Sequence, residues 1–199
     1  MSETILVLAT QNRHKAQEIR QIWSGLHLKL LTLADFDIHT EVEETGETLE
    51  ANALIKARFA HAQTGRPAVA DDTGLEVDAL GGAPGVYAAR YAGENVTYMD
   101  NNLKLLAELG NRPPAERKAR FRTAVALVNG PDEVVVEGVC EGEILTALSG
   151  DGGFGYDPLF YVPGLGKSFA QMTPEEKNGI SHRGQAFRAM GEVLRERFR

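Results

Sequence analysis

The sequence has little of what several classes of protein require. Its one cysteine, Cys140, excludes an internal disulfide, and no Cys/His spacing suggests a zinc site. No segment approaches the roughly 20 apolar residues of a membrane-spanning helix, and the first residues lack the basic start of a signal peptide. We therefore expect a soluble, cytoplasmic protein in which Cys140 is a small, half-buried apolar side chain.

The chain also has no excess of positive charge. Its 21 Lys and Arg residues against 28 Asp and Glu residues give a net charge of −7, whereas proteins that grip a nucleic-acid backbone are usually basic. A nucleic-acid polymer or a membrane is therefore not an expected partner. A small anionic ligand held by a few lysines and a metal ion is compatible with this charge.

Apolar patterning predicts one α/β domain over the 199 residues, with a mixed sheet. Met99, Leu103 and Leu106 are the expected apolar stripe of a helix over 97–110, and a short strand over 67–71 is expected to end at Asp71. "NGPD" predicts an antiparallel turn between two long strands. The remaining strands are expected over 5–10 and 28–36, and the remaining helices over 11–26 and 46–65, from 173, and over 184–198.

The stretch "ATQNRHK" follows the first predicted strand and opens a helix. Free backbone N–H groups at a helix start favour a bound phosphate. Thr10 and Asn12 can add side-chain donors and Lys15 a full charge. The alternative is an ordinary helix cap by Asn12 with a solvated Lys15.

Two groups of carboxylates come next. Adjacent Asp71 and Asp72 follow an apolar run, where two charges need a compensating partner. "EVEETGETLE" supplies glutamates that read either as a solvated acidic segment or as ligands of Mg²⁺, which takes one or two carboxylates and substrate phosphate. Lys56, on a predicted helix, either extends to solvent or acts as a second phosphate cation.

The glycine-rich "GGFGYDP" at 152–158 and the later "EEKNGISHRG" have features of a pocket for a flat ring. Phe154 can stack on such a ring while Asp157 and backbone groups read its edge, and His182 and Arg183 can donate to a carbonyl-bearing heterocycle. A tight loop with Phe154 in the core is an equal alternative. Phosphate donors, metal-binding carboxylates, lysines and an aromatic edge reader together indicate a nucleoside triphosphate site.

These residues resemble the noncanonical purine nucleoside triphosphate pyrophosphatases, the inosine/xanthosine triphosphate pyrophosphatase family. Five blocks match in order, from about Ile5 into the last helix: "ATQNRHK", "EETGETLEANALIKA", "ADDTGLEVDALGGAPGVYAARYAG", "GGFGYDPLFYVP" and "MTPEEKNGISHRG". The resemblance implies a long mixed sheet with two α/β lobes flanking a central substrate cleft, and a homodimer.

The resemblance also implies an activity and a site. The activity is Mg²⁺-dependent hydrolysis of inosine, deoxyinosine or xanthosine triphosphate to the monophosphate and pyrophosphate, which cleanses the nucleotide pool. Asp72 is then the general base. It also binds the metal, and Glu43 or Glu44 is the second metal ligand. The implied substrate-binding residues are Thr10, Gln11, Asn12, Arg13, His14, Lys15, Lys56, Thr73, Phe154, Gly155, Tyr156, Asp157, Lys177, His182 and Arg183.

One position departs from the family pattern, which often has glycine where this chain has Gln11. A left-handed backbone there would strain Gln11. Two alternative functions remain open at this point. A nucleotide sensor would bind the triphosphate without cleaving it, and a pyrophosphatase of modified pyrimidine nucleotides would keep the reaction but change the base.

Overall fold

The structure is a computed structural model that describes residues 4–40 and 42–198. It is a mixed α/β protein with one long sheet, as predicted. Seven of the eight strands in the described residues follow the order β2-β1-β3-β5-β6-β7-β8, and the eighth, β4, pairs with β3. The strands are β1 Thr4–Leu8, β2 Leu28–Thr32, β3 Ala68–Val77, β4 Pro84–Gly85, β5 Lys118–Asn129, β6 Asp132–Ile144, β7 Phe160–Val162 and β8 Lys167–Ser168.

The described residues form five α-helices, which are α1 Arg13–Ile22, α2 Leu49–Thr64, α3 Tyr98–Leu109, α4 Pro174–Ile180 and α5 His182–Arg197. Chain contacts divide the protein into two compact units. The first comprises the chain up to Asp72, Thr123–Gly138 and the chain from Arg183 onward. The second comprises Thr73–Arg122 and Val139–His182. No helix in the described ranges is long and apolar enough to cross a membrane.

In the first unit, β1 pairs in parallel with β2 and with β3. The right-handed connections of such strands place α1 and α2 on opposite faces of the sheet. The core on one face includes Ile19 of α1, Val69 of β3 and Phe187 of α5. On α2 the predicted apolar face is confirmed, because Leu49, Ala53, Ala57 and Ala60 are all buried.

In the second unit, the predicted stripe of α3 is wrong at Met99 and Leu103, whereas Leu106 packs against the core as predicted. Met99 and Leu103 are 48% and 54% exposed, whereas Asn101, Asn102, Leu105 and Leu109 are buried. The reason is that both asparagines find backbone partners on the buried side. Asn101 accepts from Ala92 N at 2.7 Å and donates to the carbonyl of Ala89, while Asn102 donates to Gly155 O at 2.9 Å.

Other local predictions are confirmed. Thr173 caps α4 through a capping box with Glu176, and Gly65 ends α2 with a left-handed φ of 62°. β5 and β6 are neighbours joined by a two-residue connection, the geometry of an antiparallel pair. Cys140 lies in β6 and is 6% exposed, so it is more deeply buried than the half-buried position predicted for it.

Candidate active site

The paired aspartates do not end a strand. β3 runs from Ala68 to Val77, so Asp71 and Asp72 lie in its interior, and they are only 2% and 6% exposed. The expectation of a short strand that stops at Asp71 is therefore wrong. The strand continues because each carboxylate has cationic or amide partners within the first unit, which offset the cost of burying it.

Successive strand side chains point to opposite faces of a sheet. Asp71 comes two residues after Val69, so its side chain lies on the same face of the sheet as Val69, which packs in the core with α1 and α5. Asp72 meets side chains of α2 instead. The two carboxylates therefore do not form one pair, and each has its own set of partners.

The Asp71 cluster is a set of buried and half-buried charges. Lys15 of α1 donates to Asp71 Oδ2 at 2.8 Å, and Arg183 Nε lies 3.9 Å from the same oxygen. The guanidinium of Arg183 also donates to Glu18 at 2.6 Å. The Asp71 and Arg183 side chains are 1% and 4% exposed, so these charges interact in a region of low dielectric.

The Asp72 cluster is formed mainly by α2. Lys56 Nζ donates to Asp72 Oδ1 at 2.9 Å and to Glu44 Oε1 at 2.7 Å. Asn52, one helical turn before Lys56, donates to Asp72 Oδ2 at 3.3 Å. Each oxygen of the Asp72 carboxylate therefore has one donor from the same helix face.

The two carboxylates differ in proton affinity. Burial raises the pKa of Asp71, but the charges of Lys15, Arg183 and Lys56 outweigh it and hold this pKa at about 2. Burial raises the pKa of Asp72 above its usual value, and the charge of Lys56 offsets this only in part. Asp72 is thus the better proton acceptor of the two.

The pKa values of the two lysines, Lys15 and Lys56, are shifted in opposite directions. Burial lowers the pKa of Lys15 more than its pairing with Asp71 raises it. For Lys56, burial is outweighed by the charges of Asp72, Asp71 and Glu44, so its pKa is raised. Lys56 therefore remains a cation among three carboxylates.

Of the two glutamates predicted as metal ligands, Glu44 is the one that shares Lys56 with Asp72. The side chain of Glu43 is exposed. Among residues 4–40 and 42–198, no group of three or more His, Cys, Asp or Glu residues could hold a metal ion by itself. Two carboxylates that share one lysine, Asp72 and Glu44, nevertheless fit Mg²⁺, which takes one or two protein carboxylates and completes its shell with water and substrate.

The predicted phosphate loop precedes α1. Asn12 caps the helix by accepting from His14 N at 3.0 Å and Lys15 N at 3.2 Å, and Thr10 Oγ1 accepts from Asn12 N. Gln11 and His14 are exposed. The side chain of Arg13 lies outside the part of the chain that the structure describes.

The left-handed backbone that would strain Gln11 is not adopted. Among the described non-glycine residues, only Asp37 and Asn95 have a positive φ. The glutamine therefore sits in the loop with an ordinary backbone, and the departure from the family pattern has no backbone cost.

In the second unit, three of the residues predicted for the base pocket, Phe154, Asp157 and Lys177, contact one another. Lys177 Nζ donates to Asp157 Oδ2 at 2.7 Å and lies 4.8 Å from the centre of the Phe154 ring. Asp157 also accepts from Phe154 N at 2.8 Å. A carboxylate, a cation and an aromatic face thus come together around the glycine-rich loop.

Other predicted pocket residues of this unit are tied to the core. Tyr156 is 5% exposed and donates to Ala88 O at 2.7 Å. His182 is 2% exposed and stacks on Phe121 with 4.4 Å between ring centres. Gly155 accepts from Asn102 through its carbonyl, and Thr73 is a half-buried residue of β3.

Two residues of these clusters were not predicted, and one predicted residue has different neighbours. Asn52 and Glu18 were missed, although Asn52 is an amide among the apolar positions of α2, which is a usable signal. Arg183 was assigned to the base pocket, and in the structure its guanidinium contacts Glu18 and Asp71.

Comparison with known proteins places the chain among relatives of known type. The family model described as "Ham1 family" matches residues 6–193. The dITP/XTP pyrophosphatase of Thermoanaerobacter sp. (strain X514) is 49% identical over 192 residues, 96% of this chain and 97% of that protein. The same named enzyme of Geobacter sulfurreducens is 50% identical over 192 residues, 96% of each chain.

Solved structures agree with these relatives. The structure of a HAM1 protein from Coxiella burnetii superimposes with a TM-score of 0.89 at 44% identity, and it covers 97% of this chain and 99% of that one. Identity of this extent over nearly the whole length shows common descent and a common fold, and it confirms the resemblance drawn from the sequence motifs. The chain belongs to the Ham1 family.

Proposed function

We propose that this chain is a Mg²⁺-dependent nucleoside triphosphate pyrophosphatase that hydrolyses inosine, deoxyinosine and xanthosine triphosphates to the monophosphate and pyrophosphate. The observation that carries the proposal is the Asp72 cluster. A buried carboxylate with a raised pKa is held by Asn52 and Lys56, with Glu44 beside it. The related chains named dITP/XTP pyrophosphatase support the class of reaction.

In this proposal Asp72 takes a proton from a water molecule, which then attacks in line and expels pyrophosphate. Its raised pKa makes the carboxylate a stronger base than a solvated aspartate. Lys56, fixed between Asp72 and Glu44, adds positive charge where the phosphates carry negative charge. Fixed charges of this kind supply most of the rate in phosphoryl-group chemistry.

The triphosphate would lie over the start of α1, with Thr10, Asn12 and Lys15 as donors. Asn12 already accepts from His14 N and Lys15 N, so its side-chain oxygen fixes the loop while its amide nitrogen can donate. Lys15 would exchange part of its contact with Asp71 for a phosphate oxygen. Its lowered pKa reflects a cation whose contacts do not fully offset its burial.

Asp72 and Glu44 would hold Mg²⁺, which supplies neutralisation of the triphosphate charge when bound. Glu44 is the better candidate than Glu43 because it is half-buried and shares a lysine with Asp72. The two carboxylates match the small number of protein ligands that Mg²⁺ uses at phosphate sites.

Selection of the base would depend on the second set of residues. Phe154 offers a face for stacking, and Asp157 and Lys177 offer an acceptor and a donor. Hypoxanthine and xanthine carry a 6-oxo group where adenine has an amino group, so donors from Lys177 or His182 would favour the oxo bases. Guanine also carries this oxo group and would be rejected at its 2-amino group.

Product analysis tests the proposal. Purified protein is given Mg²⁺ and inosine, guanosine or adenosine triphosphate, and pyrophosphate and orthophosphate are assayed separately. We expect pyrophosphate from inosine triphosphate and little from the other two. Orthophosphate would contradict the placement of the attack, and binding without any product would identify a nucleotide sensor instead.

We also propose the setting of this activity. Hydrolysis of these nucleotides would cleanse the precursor pool of bases that mispair in DNA and RNA. The family resemblance supports a cytoplasmic homodimer. Sedimentation of the purified chain at several concentrations would distinguish a dimer from a monomer.

A further inference from the structure

Asn52 is a buried amide at the centre of the Asp72 cluster. It is 1% exposed and lies on the face of α2 that carries Leu49, Ala53 and Lys56. An asparagine costs helix stability relative to alanine and costs more when buried without partners. Both of its polar groups are in fact used.

The two ends of the Asn52 amide join different parts of the chain. Its oxygen accepts from the backbone N–H of Gly46 at 2.8 Å, and its nitrogen donates to Asp72 Oδ2 at 3.3 Å. Gly46 belongs to the segment that also carries Glu44. The same amide therefore connects the backbone of the Glu44 segment to the carboxylate of Asp72.

The chemistry of the two contacts fixes the residue type. A backbone N–H can only donate, so it requires an acceptor, and an ionised carboxylate requires a donor. Asparagine supplies both on a short side chain. Aspartate at this position would keep the acceptor for Gly46 but would face Asp72 with a second carboxylate.

The segment approaches Asn52 so closely that Gly46 has no room for a side chain. A Cβ at Gly46 would lie 2.6 Å from Asn52 Oδ1 and 2.8 Å from Ala51 Cβ. Any larger residue therefore has to move the segment away from α2. The contact between Gly46 and Asn52 is thus built into the backbone path.

From this geometry we infer that Asn52 is a positioning residue, which holds the Asp72 carboxylate in one orientation and the Glu44 segment in register with it. The inference rests on the proposed function. Asn52 acts through Asp72 and Glu44 and does not itself contact the reacting atoms.

The first test is Asn52→Asp in the full-length protein. This change keeps the acceptor for Gly46, removes the donor to Asp72 and places a second carboxylate opposite it. We expect kcat for pyrophosphate release from deoxyinosine triphosphate to fall about 10²-fold, as for small misplacements of reacting groups. KM, and the affinity for an α,β-methylene analogue measured by calorimetry, should stay within about threefold of wild type.

The second test is Gly46→Ala, which changes no side chain of the Asp72 cluster and displaces the segment that carries Glu44. We expect kcat to fall about tenfold without loss of the folded state in circular dichroism. This variant also decides the matter if Asn52→Asp does not fold. Wild-type kcat in Gly46→Ala would then overturn the inference.

Asn101→Asp is the matched control. Asn101 is another buried helical amide that accepts from one backbone N–H and donates to one carbonyl, and it lies in the second unit. It should lose stability while kcat stays within about threefold of wild type. An equal fall of kcat in both Asn→Asp variants, or a change in KM alone for Asn52→Asp, would overturn the positioning role.

The wild-type assay separates this inference from the proposed function. If wild type releases no pyrophosphate, the proposed function fails, and the role of Asn52 fails with it. If wild type is active and Asn52→Asp has the same kcat, only the inference about Asn52 fails.

Discussion

Asp71 and Asp72 are the same residue type at adjacent positions of one strand, yet the structure treats them differently. Asp71 has two cationic neighbours, Lys15 and Arg183, and its pKa is held at about 2. Asp72 shares Lys56 with a second carboxylate, Glu44, and its pKa is raised. Asp71 therefore stays ionised, whereas Asp72 binds a proton more readily than a solvated aspartate does.

The difference follows from strand geometry. Because alternate side chains leave a strand on opposite faces, each aspartate meets a different helix. α1 and α5 bring an excess of positive charge to Asp71, whereas α2 brings one lysine and one neutral amide to Asp72. If the proposed function holds, Asp71 serves mainly stability and Asp72 mainly chemistry.

The substitution Asp72→Asn tests the different roles of the two aspartates with the largest expected effect. The amide keeps the shape of the side chain but cannot take a proton from water, so we expect kcat to fall by about 10³-fold or more. Lys56 would still pair with Glu44, and the melting temperature should change little. Initial rates of pyrophosphate release, together with thermal unfolding, check both parts. Near-normal turnover would remove Asp72 from the role of base.

The matched change Asp71→Asn should act on stability. It leaves the buried charges of Lys15 and Arg183 without their carboxylate, and breaking a buried ion pair costs about 3 kcal/mol. Urea unfolding of the protein without metal measures this loss. If Asp71→Asn left stability intact and abolished turnover as Asp72→Asn does, the assignment of different roles to the two aspartates would be wrong.

The contribution of Asp71 to the free energy of unfolding should depend on pH. The pKa of Asp71 is lowered from 3.8 to about 2 on folding, so its stabilising contribution is complete above pH 4 and is lost as the pH falls toward 2. The size of this contribution is about 2 kcal/mol, from about 1.4 kcal/mol per pKa unit. The free energy of unfolding of wild type minus that of Asp71→Asn should therefore shrink between pH 4 and pH 2.5. A difference that stays constant over this range would contradict the lowered pKa.

A smaller effect is expected at the edge of the Asp71 cluster. Glu18 is 15% exposed and contacts Arg183, which still faces Asp71. Glu18→Gln should therefore cost only about 1 kcal/mol of unfolding free energy. Its kcat should stay close to that of wild type. A loss as large as that of Asp71→Asn would show that Glu18, and not Asp71, is the main partner of Arg183.

Much of the fold could be predicted from the sequence because local signals agreed with the final structure. Three such signals depend only on residues that are close in the sequence. They are the end of α2 at Gly65, the capping box of Thr173 and Glu176 in α4, and the buried face of α2. The stripe of α3 could not be chosen this way. A leucine-rich helix offers two apolar faces. Which face of α3 is buried is set by the backbone partners of Asn101 and Asn102.

The site was predictable in its residue types and less so in its pairings. Asp72, Lys56 and either Glu43 or Glu44 were expected near one another, and the structure brings Glu44 to Lys56 and Asp72. The strand was expected to end at the aspartates because adjacent charges oppose burial, and that rule fails here since each aspartate has separate partners on its own face. Which lysine meets which aspartate depends on the crossover of the helices, a long-range property that motif spacing does not contain.

The most direct measurement for the central claim, that Asp72 directs water at the α-phosphate, is hydrolysis of deoxyinosine triphosphate in ¹⁸O-labelled water. The two products are separated and weighed by mass spectrometry, and Asp72→Asn serves as the inactive control. We expect one ¹⁸O atom in the deoxyinosine monophosphate and none in the pyrophosphate. Label in the pyrophosphate, or unlabelled monophosphate, would contradict attack at the α-phosphorus.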